Sequence, residues 1–377
     1  MPKNVTDRPM LNRLRHALEF AGLGSRIAPF PIRRQARPWT REDLPPLPPT
    51  PTTGEHAGRP WVPGPPDYIG IGTQKSGTSW WASLIERHPD VVPNRFGRKE
   101  MHYLMHFFDR TMTTEDVETY HAAFVRPDGR RCGEWTPNYM ASPYTAVRLK
   151  QAAPKARVLV MVRNPITRFE SGLNHEFRNR FGGMLVPSVR RAVIMQYALR
   201  KESIWMGMYA AQLATVLQSI PREQVLVLQY ERCKADTAGL LAETYRFLGL
   251  DDTFVPDGLD RRVNEQKRVV DPLADEAREQ LRTMYRDDVA RLQAMFPKSI
   301  DLRLWTEFAD LQPAGPADAA RQPSEPSSST SISSNRNDND CDSGPSRIDD
   351  HGDDSQLSAS DESGSRVAAS VSFGTQP

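Results

Sequence analysis

Residues 68–80 read YIGIGTQKSGTSW, a short apolar run followed by a glycine-containing turn and the start of a helical pattern. The run is apolar throughout rather than alternating, which predicts a strand buried on both faces. The turn brings several backbone N–H groups to the positive end of the following helix, and Lys75 adds a full charge to them. The segment therefore predicts a cradle for a phosphate or sulfate group.

The position of the lysine argues against the phosphate loop of a nucleoside triphosphatase or kinase. In the pattern GxxxxGK[ST] the lysine directly follows the second glycine, whereas Lys75 precedes Gly77. A kinase would also need an acidic metal ligand, and no such pattern is present. The simpler alternative to an anion cradle is a tight turn with a solvated lysine.

Two further apolar runs, residues 157–162 (RVLVMV) and 224–229 (QVLVLQ), have the same character, and helical patterns follow all three runs. Strands that alternate with helices predict an α/β fold, here a P-loop-like three-layer αβα arrangement around a central parallel sheet. Ligands of such sheets bind beyond the carboxyl ends of the strands. The helices are predicted at residues 78–87, 166–178, 209–218, 231–248 and 275–295.

A second candidate anion site follows the run at residues 157–162. Arg163 comes directly after it, where a planar guanidinium can fork onto a phosphate. Pro165 suits a first helical turn, and Ser171 lies two turns into that helix, on a face that can turn back to the same anion. Two anion sites at adjacent strand ends predict a ligand with two separated anionic groups. The alternative is an ordinary helix start.

The two ends of the 377-residue chain differ from its middle. Residues 1–66 contain 14 of the 32 prolines and predict a largely extended N-terminal arm. Residues 313–377 contain 11 acidic and 4 basic residues among serines and glycines, which predicts a disordered acidic tail. The predicted domain is residues 67–312. The chain without the tail carries a formal charge of +9, which favours an anionic ligand, whereas the total of +2 argues against a protein that coats nucleic acid.

Neither the apolar runs nor the cysteines of the sequence indicate secretion, a membrane span or a structural metal. Residues 11–23 have apolar side chains near helical spacing, which predicts a helix that packs on the body or lies on a membrane surface. No apolar run is long enough for a transmembrane span or a signal peptide, so a soluble cytoplasmic protein is expected. The 3 cysteines form no CxxC pattern, and neither a disulfide framework nor structural zinc is expected.

The two anion-site segments resemble the nucleotide-binding signature of sulfotransferases that use 3′-phosphoadenosine 5′-phosphosulfate (PAPS). Residues 73–80 (TQKSGTSW) look like the 5′-phosphosulfate loop of that family, and residues 163–172 (RNPITRFESG) like its 3′-phosphate motif. Residues 99–104 (KEMHYL) and 133–139 (GEWTPNY) look like two segments of its heparan sulfate branch. The resemblance extends from residue 68 to about residue 305.

This resemblance implies a metal-independent enzyme with PAPS as co-substrate, which moves a sulfuryl group to a hydroxyl or amine of a glycan, glycolipid or small-molecule acceptor. It implies that Lys75 contacts the phosphosulfate bridge as a catalytic residue and that Glu100 takes the proton from the acceptor. The basic residues 261–268 would close over the nucleotide. The residues implied in nucleotide binding are Lys75, Ser76, Gly77, Thr78, Ser79, Trp80, Arg163 and Ser171.

Several alternatives remain open beside this assignment. Trp135 stands where the family often has a lysine, which puts a second cation in doubt and makes Trp135 a candidate for lining an acceptor pocket. Glu100 can instead form a salt bridge with Lys99 or Lys75, and Glu134 is a second candidate carboxylate. The whole chain can instead be a catalytically silent nucleotide-binding or scaffold relative. Neither of two nearby histidines, His102 and His175, is expected to be the base.

Aromatic residues near these segments can either stack on a sugar ring or form part of the core. The sequence favours the core slightly. The residues concerned are Tyr103, Phe107, Phe108, Trp135 and Tyr139.

Overall fold

A parallel β-sheet organises the part of the chain that the computed structural model describes, namely residues 38–49, 58–181, 201–259 and 273–313. Its strands and a separate antiparallel pair are, in chain order, β1 Val62–Pro63, β2 Tyr68–Gly72, β3 Val91–Val92, β4 Val125–Arg126, β5 Arg131–Trp135, β6 Arg157–Val162 and β7 Val225–Gln229. The order across the sheet is β3, β5, β2, β6, β7, and β1 pairs with β4 outside it. All neighbouring strands of the sheet run parallel.

Helices connect these strands and continue the chain after them. The α-helices in the described ranges are α1 Thr78–Ile85, α2 Thr114–His121, α3 Thr145–Ala152, α4 Pro165–Phe181, α5 Lys201–Trp205, α6 Tyr209–Leu217, α7 Tyr230–Ala235, α8 Thr237–Leu248 and α9 Asp275–Met295. Short 3₁₀ turns lie at Arg41–Asp43, Tyr103–His106, Arg222–Gln224, Leu302–Leu304 and Thr306–Leu311.

Both faces of the sheet are buried, as the unbroken apolar strands predict. Val158 and Val160 of β6 belong to one core cluster, which also contains side chains of α3, α4, α6 and α9. Leu159 and Met161, the alternate residues of the same strand, belong to a second cluster with side chains of α1 and α8. Because successive side chains of a strand point to opposite faces, helices cover the sheet on both sides. The predicted three-layer α/β fold is confirmed.

Most predicted elements agree with the structure, and two differences have clear causes. The predicted helix at residues 231–248 is divided at Asp236, whose carboxylate accepts a hydrogen bond from the Gly239 N–H at 2.8 Å and caps α8. Strand β5 has no apolar run in its sequence, because Arg131 and Glu134 interrupt it. Its pairing with β2 and β3 makes it a strand nonetheless.

The sheet places the two predicted anion sites side by side. β2 pairs directly with β6, with Tyr68 opposite Arg157 and Ile69 opposite Val158. Both strands therefore end at the same edge, and the expectation of adjacent strand ends is confirmed. β5 pairs with the other side of β2 and ends at that edge as well.

Part of the predicted N-terminal arm lies within the described residues. Residues 38–49 are extended apart from one 3₁₀ turn, and Trp39 packs against the core. A domain boundary near residue 66 stays a prediction. The predicted helix at residues 11–23, the basic residues 261–268 and the tail after residue 313 lie outside the described residues. Of the helices that are described, none has the length and apolar character needed to cross a membrane.

Candidate functional site

The turn between β2 and α1 forms the floor of the candidate site. Lys75 and Gly77 both have left-handed backbone conformations, with φ of 71° and 88°. A Cβ atom at Gly77 would lie 2.7 Å from the ring of Tyr230, so this position requires glycine. Gly77 precedes α1 and has no side chain that could cap it. The first N–H groups of α1 therefore point at the site with no capping side chain from Gly77, which suits an anion.

The same turn is braced by its own side chains. The Thr73 hydroxyl donates to the Met161 carbonyl of β6 at 3.0 Å. Its single proton is thus used, so the Ser76 hydroxyl must be the donor in the contact between the two hydroxyls. Ser76 is fully buried, and its N–H donates to the Thr73 carbonyl at 3.3 Å. In this arrangement Ser76 shapes the cradle from inside.

The segment that begins at Lys99 brings further charge to the cradle. The Lys99 Nζ donates to the Thr78 Oγ1 in the first turn of α1 at 3.0 Å and lies 3.3 Å from the Glu100 Oε1. The His102 Nε2 is 3.7 Å from the Glu100 Oε2. The predicted salt bridge between Lys99 and Glu100 is therefore present, and it lies within the site. The sequence alone indicates no binding role for Lys99, although Lys99 directly precedes Glu100.

These contacts shift the pKa values of the charged groups. Contact with His102 and the charge of Lys99 hold the pKa of Glu100 at about 2, against the opposing effect of burial. Burial lowers the pKa of Lys75 to about 8, with the Glu100 charge opposing that shift and the Lys99 charge adding to it. The pKa of His175 is lowered by burial and then by Lys75. The charges of Lys99 and Glu100 thus act on Lys75, and those of Lys75 and Glu100 act on His175.

Arg163 joins the second strand end to the first. Its Nη1 donates to the Lys75 carbonyl at 3.4 Å, and its Nε donates to the Thr167 Oγ1 of α4 at 3.0 Å. The guanidinium lies 5.1 Å from the ring centroid of Tyr230, the same ring that contacts Gly77. Tyr230 thus lies between the cradle and Arg163, and no local signal in the sequence indicates this role.

The remaining predicted nucleotide-binding residues have different positions. Ser171 is half-buried in α4, one turn after Thr167 and on the same helix face. That this face turns back to the anion stays a prediction. Thr78 accepts from Lys99, and Ser79 is half-buried in the first turn of α1. The Trp80 N–H donates to the Gly77 carbonyl at 3.0 Å, so this amide is already used within the helix. The structure thus brings the cradle, Lys99 and Arg163 together at one edge of the sheet, and Ser171 lies further along α4.

Glu134 does not face the site. It is 3% exposed and accepts hydrogen bonds from the Tyr120 hydroxyl at 2.6 Å, the Thr136 hydroxyl at 2.6 Å, the Tyr139 hydroxyl at 3.2 Å and the Met101 N–H at 3.3 Å. Burial raises its pKa, and these hydrogen bonds oppose the shift. The idea of a second carboxylate at the acceptor is wrong for this residue, because its oxygens are enclosed in the core.

Trp135 is also part of the core rather than an open pocket. It is 1% exposed, and a Cβ atom on Gly70 would lie 2.0 Å from its ring. Its Nε1 donates to the Gly72 carbonyl at 3.0 Å, at the point where the cradle begins. Of the other aromatic candidates, Phe108 is 51% exposed. The buried ones are Tyr103, Phe107 and Tyr139.

The edge of the sheet thus holds three cations, Lys75, Lys99 and Arg163, together with the Glu100 carboxylate and the N–H groups at the start of α1. Such a site can bind two anionic groups and move a proton. Within the described ranges, no group of three or more His, Cys, Asp or Glu side chains is arranged to hold a metal ion.

The family of the chain follows from comparison with known proteins. Residues 65–268, more than half of the chain, match the family model of the sulfotransferase domain. The chain therefore belongs to the sulfotransferase family. The match contains the cradle, the Lys99 segment and Arg163, so all the residues that form the site lie in the part that defines the family.

Several curated relatives of the chain are sulfotransferases of heparan sulfate. Heparan sulfate glucosamine 3-O-sulfotransferase 6 of Mus musculus is 28% identical over 190 residues, which cover 49% of this chain and 52% of that protein. Bifunctional heparan sulfate N-deacetylase/N-sulfotransferase 3 of Homo sapiens is 25% identical over 195 residues, which cover 49% of this chain and 22% of that protein. The chain thus spans about half the length, or less, of these curated relatives.

Solved structures of sulfotransferases are similar as well. A sulfotransferase from Alicyclobacillus acidocaldarius is 27% identical, with a TM-score of 0.45, and the likeness covers 64% of this chain and 98% of that one. Mouse sulfotransferase SULT7A1 complexed with PAP is 16% identical, with a TM-score of 0.39, over 65% of this chain and 88% of that one. Because both TM-scores are low, no residue role is transferred from these structures.

Proposed function

We propose that the chain is a PAPS-dependent sulfotransferase that moves a sulfuryl group to a hydroxyl or amine of a carbohydrate or small-molecule acceptor. The observation that carries the proposal is the meeting of two strand ends, where the Arg163 guanidinium contacts the Lys75 carbonyl. PAPS has a phosphosulfate on one side of its ribose and a phosphate on the other. Two cationic sites at neighbouring strand ends match that spacing of charges.

In this proposal the cradle binds the phosphosulfate. The N–H groups at the start of α1 and the ammonium of Lys75 contact its oxygens, while Arg163 and Ser171 hold the 3′-phosphate. The Tyr230 ring, packed between Gly77 and Arg163, keeps the two halves of the nucleotide site at a fixed separation. Ser76 supports the turn rather than the ligand.

The transfer itself needs an aligned acceptor and positive charge at the leaving group. Glu100 takes the proton of the acceptor hydroxyl or amine while that oxygen or nitrogen forms a bond to sulfur. The bond between sulfur and the bridging oxygen breaks, and its electron pair stays on the 5′-phosphate of the leaving nucleotide. Lys75 stabilises that charge, and Lys99 supplies the second cation that Trp135 cannot.

The low pKa of Glu100, about 2, keeps its carboxylate ionised at neutral pH. A carboxylate tied to Lys99 and His102 is a weak base, and catalysis is most efficient when the pKa lies near the working pH. An acceptor that displaces His102 from Glu100 removes the largest cause of the low pKa. Acceptor binding would thus activate the base that it uses.

The acceptor class is proposed from the relatives. One matched protein is named as a glucosamine 3-O-sulfotransferase of heparan sulfate and another as an N-sulfotransferase of the same polymer. A glucosaminyl saccharide is therefore the first acceptor to test. That the reaction needs no metal, and that the protein acts in the cytoplasm, stay predictions from the sequence.

Calorimetric titration with 3′-phosphoadenosine 5′-phosphate (PAP) tests the nucleotide site. We expect wild-type protein to bind PAP and both Lys75→Ala and Arg163→Ala to bind it far more weakly, because each loses a charge that contacts one phosphate. Lys155→Ala and Arg157→Ala are matched controls, since both residues are exposed at the opposite end of β6. Absence of PAP binding by folded wild-type protein would overturn the proposal.

Turnover then separates an enzyme from a silent relative of the same fold. Radiolabelled PAPS is incubated with glucosaminyl oligosaccharides, phenols and amines, and transfer of the label is measured. Removing one pre-placed electrostatic group typically costs about 100- to 1000-fold in kcat. We expect Lys99→Met to lose kcat on that scale with PAP affinity less affected, and Glu100→Gln to be nearly inactive. PAP binding without transfer to any acceptor would favour the silent relative.

A further inference from the structure

The backbone around Glu100 is held in an unusual conformation. Glu100 and His102 both have left-handed φ values, 66° and 56°, although neither is glycine. Such conformations cost energy and persist only where the surroundings hold them. The Glu100 N–H donates to the Trp135 carbonyl at 3.1 Å, which fixes one end of the segment to β5. The rest of the segment must be held by other groups.

Glu134 and two of its partners hold the remaining N–H groups. Glu134 accepts directly from the Met101 N–H. Thr136 donates to Glu134 and accepts from the N–H of His102 at 3.3 Å. Tyr139 also donates to Glu134 and accepts from the N–H of Leu104 at 3.3 Å. The buried carboxylate therefore fixes the conformation that aims Glu100 at the site.

The Glu134 carboxylate is in turn oriented by an aromatic cluster that includes the N-terminal arm. Tyr120, whose hydroxyl makes the 2.6 Å hydrogen bond to Glu134, stacks on Tyr103 with centroids 5.2 Å apart and rings 13° from parallel. Trp39 of the arm lies 4.3 Å from Tyr103 and 6.4 Å from Tyr120, centroid to centroid. It also contacts Phe96 at 5.1 Å. Trp39 therefore closes the open side of this cluster.

The arm is attached at several points. The Arg95 guanidinium donates to the Pro45 carbonyl, and the Trp61 Nε1 donates to the Pro49 carbonyl at 2.9 Å. Arg41 forms an exposed ion pair with Glu118 of α2 at 2.6 Å. Residues 38–49 lie outside the segment that matches the family model, which begins at residue 65.

We propose that Trp39 of the N-terminal arm and Tyr120 are positioning residues that hold the Glu100 carboxylate in the site, acting through Glu134. The proline-rich arm is thereby part of the catalytic unit. The role of Glu100 as base rests on the proposed function, whereas its positioning does not. Removing the Trp39 ring leaves a gap beside Tyr103 and Tyr120, so the Tyr120 hydroxyl no longer keeps its place at Glu134. The segment then relaxes, and Glu100 moves away from Lys99 and His102.

A carbon NMR titration of the Glu100 carboxyl tests the positioning without any acceptor. In wild-type protein we expect a pKa near the low value of about 2 that contact with His102 and Lys99 produces. In Trp39→Ala and Tyr120→Phe we expect it to rise towards the ordinary 4.5, because those contacts are lost. Trp39→Phe, which keeps an aromatic ring in the cluster, should restore most of the low pKa.

Two matched controls separate positioning from a general loss of stability. Tyr245→Phe removes a buried hydroxyl that donates to the Leu84 carbonyl at 2.9 Å in the cluster on the other face of the sheet. Arg41→Ala removes the exposed ion pair of the same arm. Both should leave the Glu100 titration unchanged. If Trp39→Ala proves unfolded by circular dichroism, Tyr120→Phe and Trp39→Phe carry the comparison.

Kinetics with radiolabelled PAPS and the glucosaminyl oligosaccharide provide the second measurement. Displacement of a catalytic group by about an ångström can cost about 100-fold in rate, so we expect kcat to fall at least about tenfold in Trp39→Ala. The Kd for PAP should stay as in wild type, since the cradle and Arg163 are untouched. An unchanged Glu100 titration in Trp39→Ala and Tyr120→Phe would overturn the inference, even if the enzyme is active. Absence of PAP binding by wild type would overturn the proposed function alone, and the titration would still decide the positioning.

Discussion

The cradle at residues 72–78 and the segment at residues 99–104 supply charge to the same site, but they are held in different ways. The cradle is braced by contacts among its own residues, such as those between Thr73 and Ser76, and by the neighbouring strand β6. The backbone N–H groups of the second segment donate to side chains and carbonyls of residues 134–139, more than 30 positions away. The first region thus relies in part on contacts within its own sequence, whereas the second relies mainly on the tertiary fold.

This difference determines where each region is vulnerable. The geometry of the cradle can be lost through a single change inside it, whereas substitutions far from it in sequence act only if they reach β2, β6 or Tyr230. The Lys99 segment, in contrast, depends on β5, α2 and the N-terminal arm. Its charges should therefore respond to changes at residues that never touch a ligand.

The largest effect is expected from Gly77→Ala. The position has φ of 88°, and the added Cβ would lie 2.7 Å from the Tyr230 ring, so either the ring or the helix start must shift. Tyr230 also contacts Arg163, and both anion sites would move together. Losing one hydrogen bond to each anionic group, about 1.5–3 kcal/mol apiece, corresponds to about 100-fold or more in Kd, and we expect a fall of that size in a calorimetric titration.

Gly249→Ala is the matched control for backbone strain. Gly249 has φ of 69° at the carboxyl end of α8, and the nearest atom to an added Cβ is an Arg131 Nη2 at 3.5 Å. The left-handed conformation costs a non-glycine residue about 1–2 kcal/mol, so both variants should unfold at lower denaturant concentration. Equal losses of PAP affinity in the two variants would show that stability, and not the shape of the cradle, controls binding.

The cradle was predictable because its information is contiguous. An apolar run, a glycine turn and a lysine within residues 68–80 identify a strand, an anion site and a helix start together. Arg163 was predictable for the same reason, since it directly follows β6. The bracing role of Ser76 was not, because a serine at this point can face either the ligand or the turn. Only the contact with Thr73 decides between them.

A second, smaller effect is expected in the pH dependence of PAP binding. It should follow the protonation of Lys75 in the cradle. With a pKa of about 8, Lys75 is about nine-tenths protonated at pH 7 and about one-tenth at pH 9. An anion favours the protonated form, so PAP affinity should fall about tenfold over this interval, and binding at pH 9 should take up a proton. The groups that influence Lys75 are Glu100 and Lys99, and Lys75 in turn influences His175.

Titrations in buffers of different ionisation enthalpy measure that proton uptake directly. Lys75→Arg keeps its charge throughout the interval, because a guanidinium is not deprotonated in proteins. The PAP affinity of Lys75→Arg should therefore be nearly independent of pH between 7 and 9. Its absolute value can differ from that of wild type, because a planar guanidinium contacts a phosphate in a different geometry from an ammonium. A wild-type affinity that is constant over the same interval would contradict the prediction, and Lys75→Ala would then show whether the lysine contacts the anion but stays protonated throughout.

The second region was less predictable for a physical reason. Glu134 reads as a candidate base in the sequence, since a carboxylate next to a motif is equally consistent with a site and with a core. Its burial depends on Tyr120 and on the pairing of β5 with β2 and β3, which the residues around Glu134 do not encode. Trp39 lies in a proline-rich stretch whose composition predicts only extended chain, and its docking depends on an aromatic cluster more than 50 residues further along.

Trp135 connects the two regions, and the smallest of the three effects is expected there. Its carbonyl accepts from the Glu100 N–H, and its indole N–H donates to the Gly72 carbonyl at the start of the cradle. Trp135→Phe keeps an aromatic ring over Gly70, but it removes the indole donor and leaves a cavity where the second ring of the buried indole lay. A buried acceptor left without its donor costs about 1–3 kcal/mol of stability. We expect that loss in urea denaturation, together with a PAP affinity reduced severalfold.

Tyr245→Phe separates the two parts of that expectation. It also removes one buried side-chain donor from a backbone carbonyl, that of Leu84, but it keeps the ring and should lower the free energy of unfolding by only about 1–3 kcal/mol. Because Leu84 lies at the far end of α1, PAP affinity should stay unchanged. If Trp135→Phe weakens PAP binding and Tyr245→Phe does not, Trp135 links the cradle to the segment that carries Glu100. Equal PAP affinities in the two variants would show instead that the cradle keeps its shape without this link, which would leave the two regions mechanically independent.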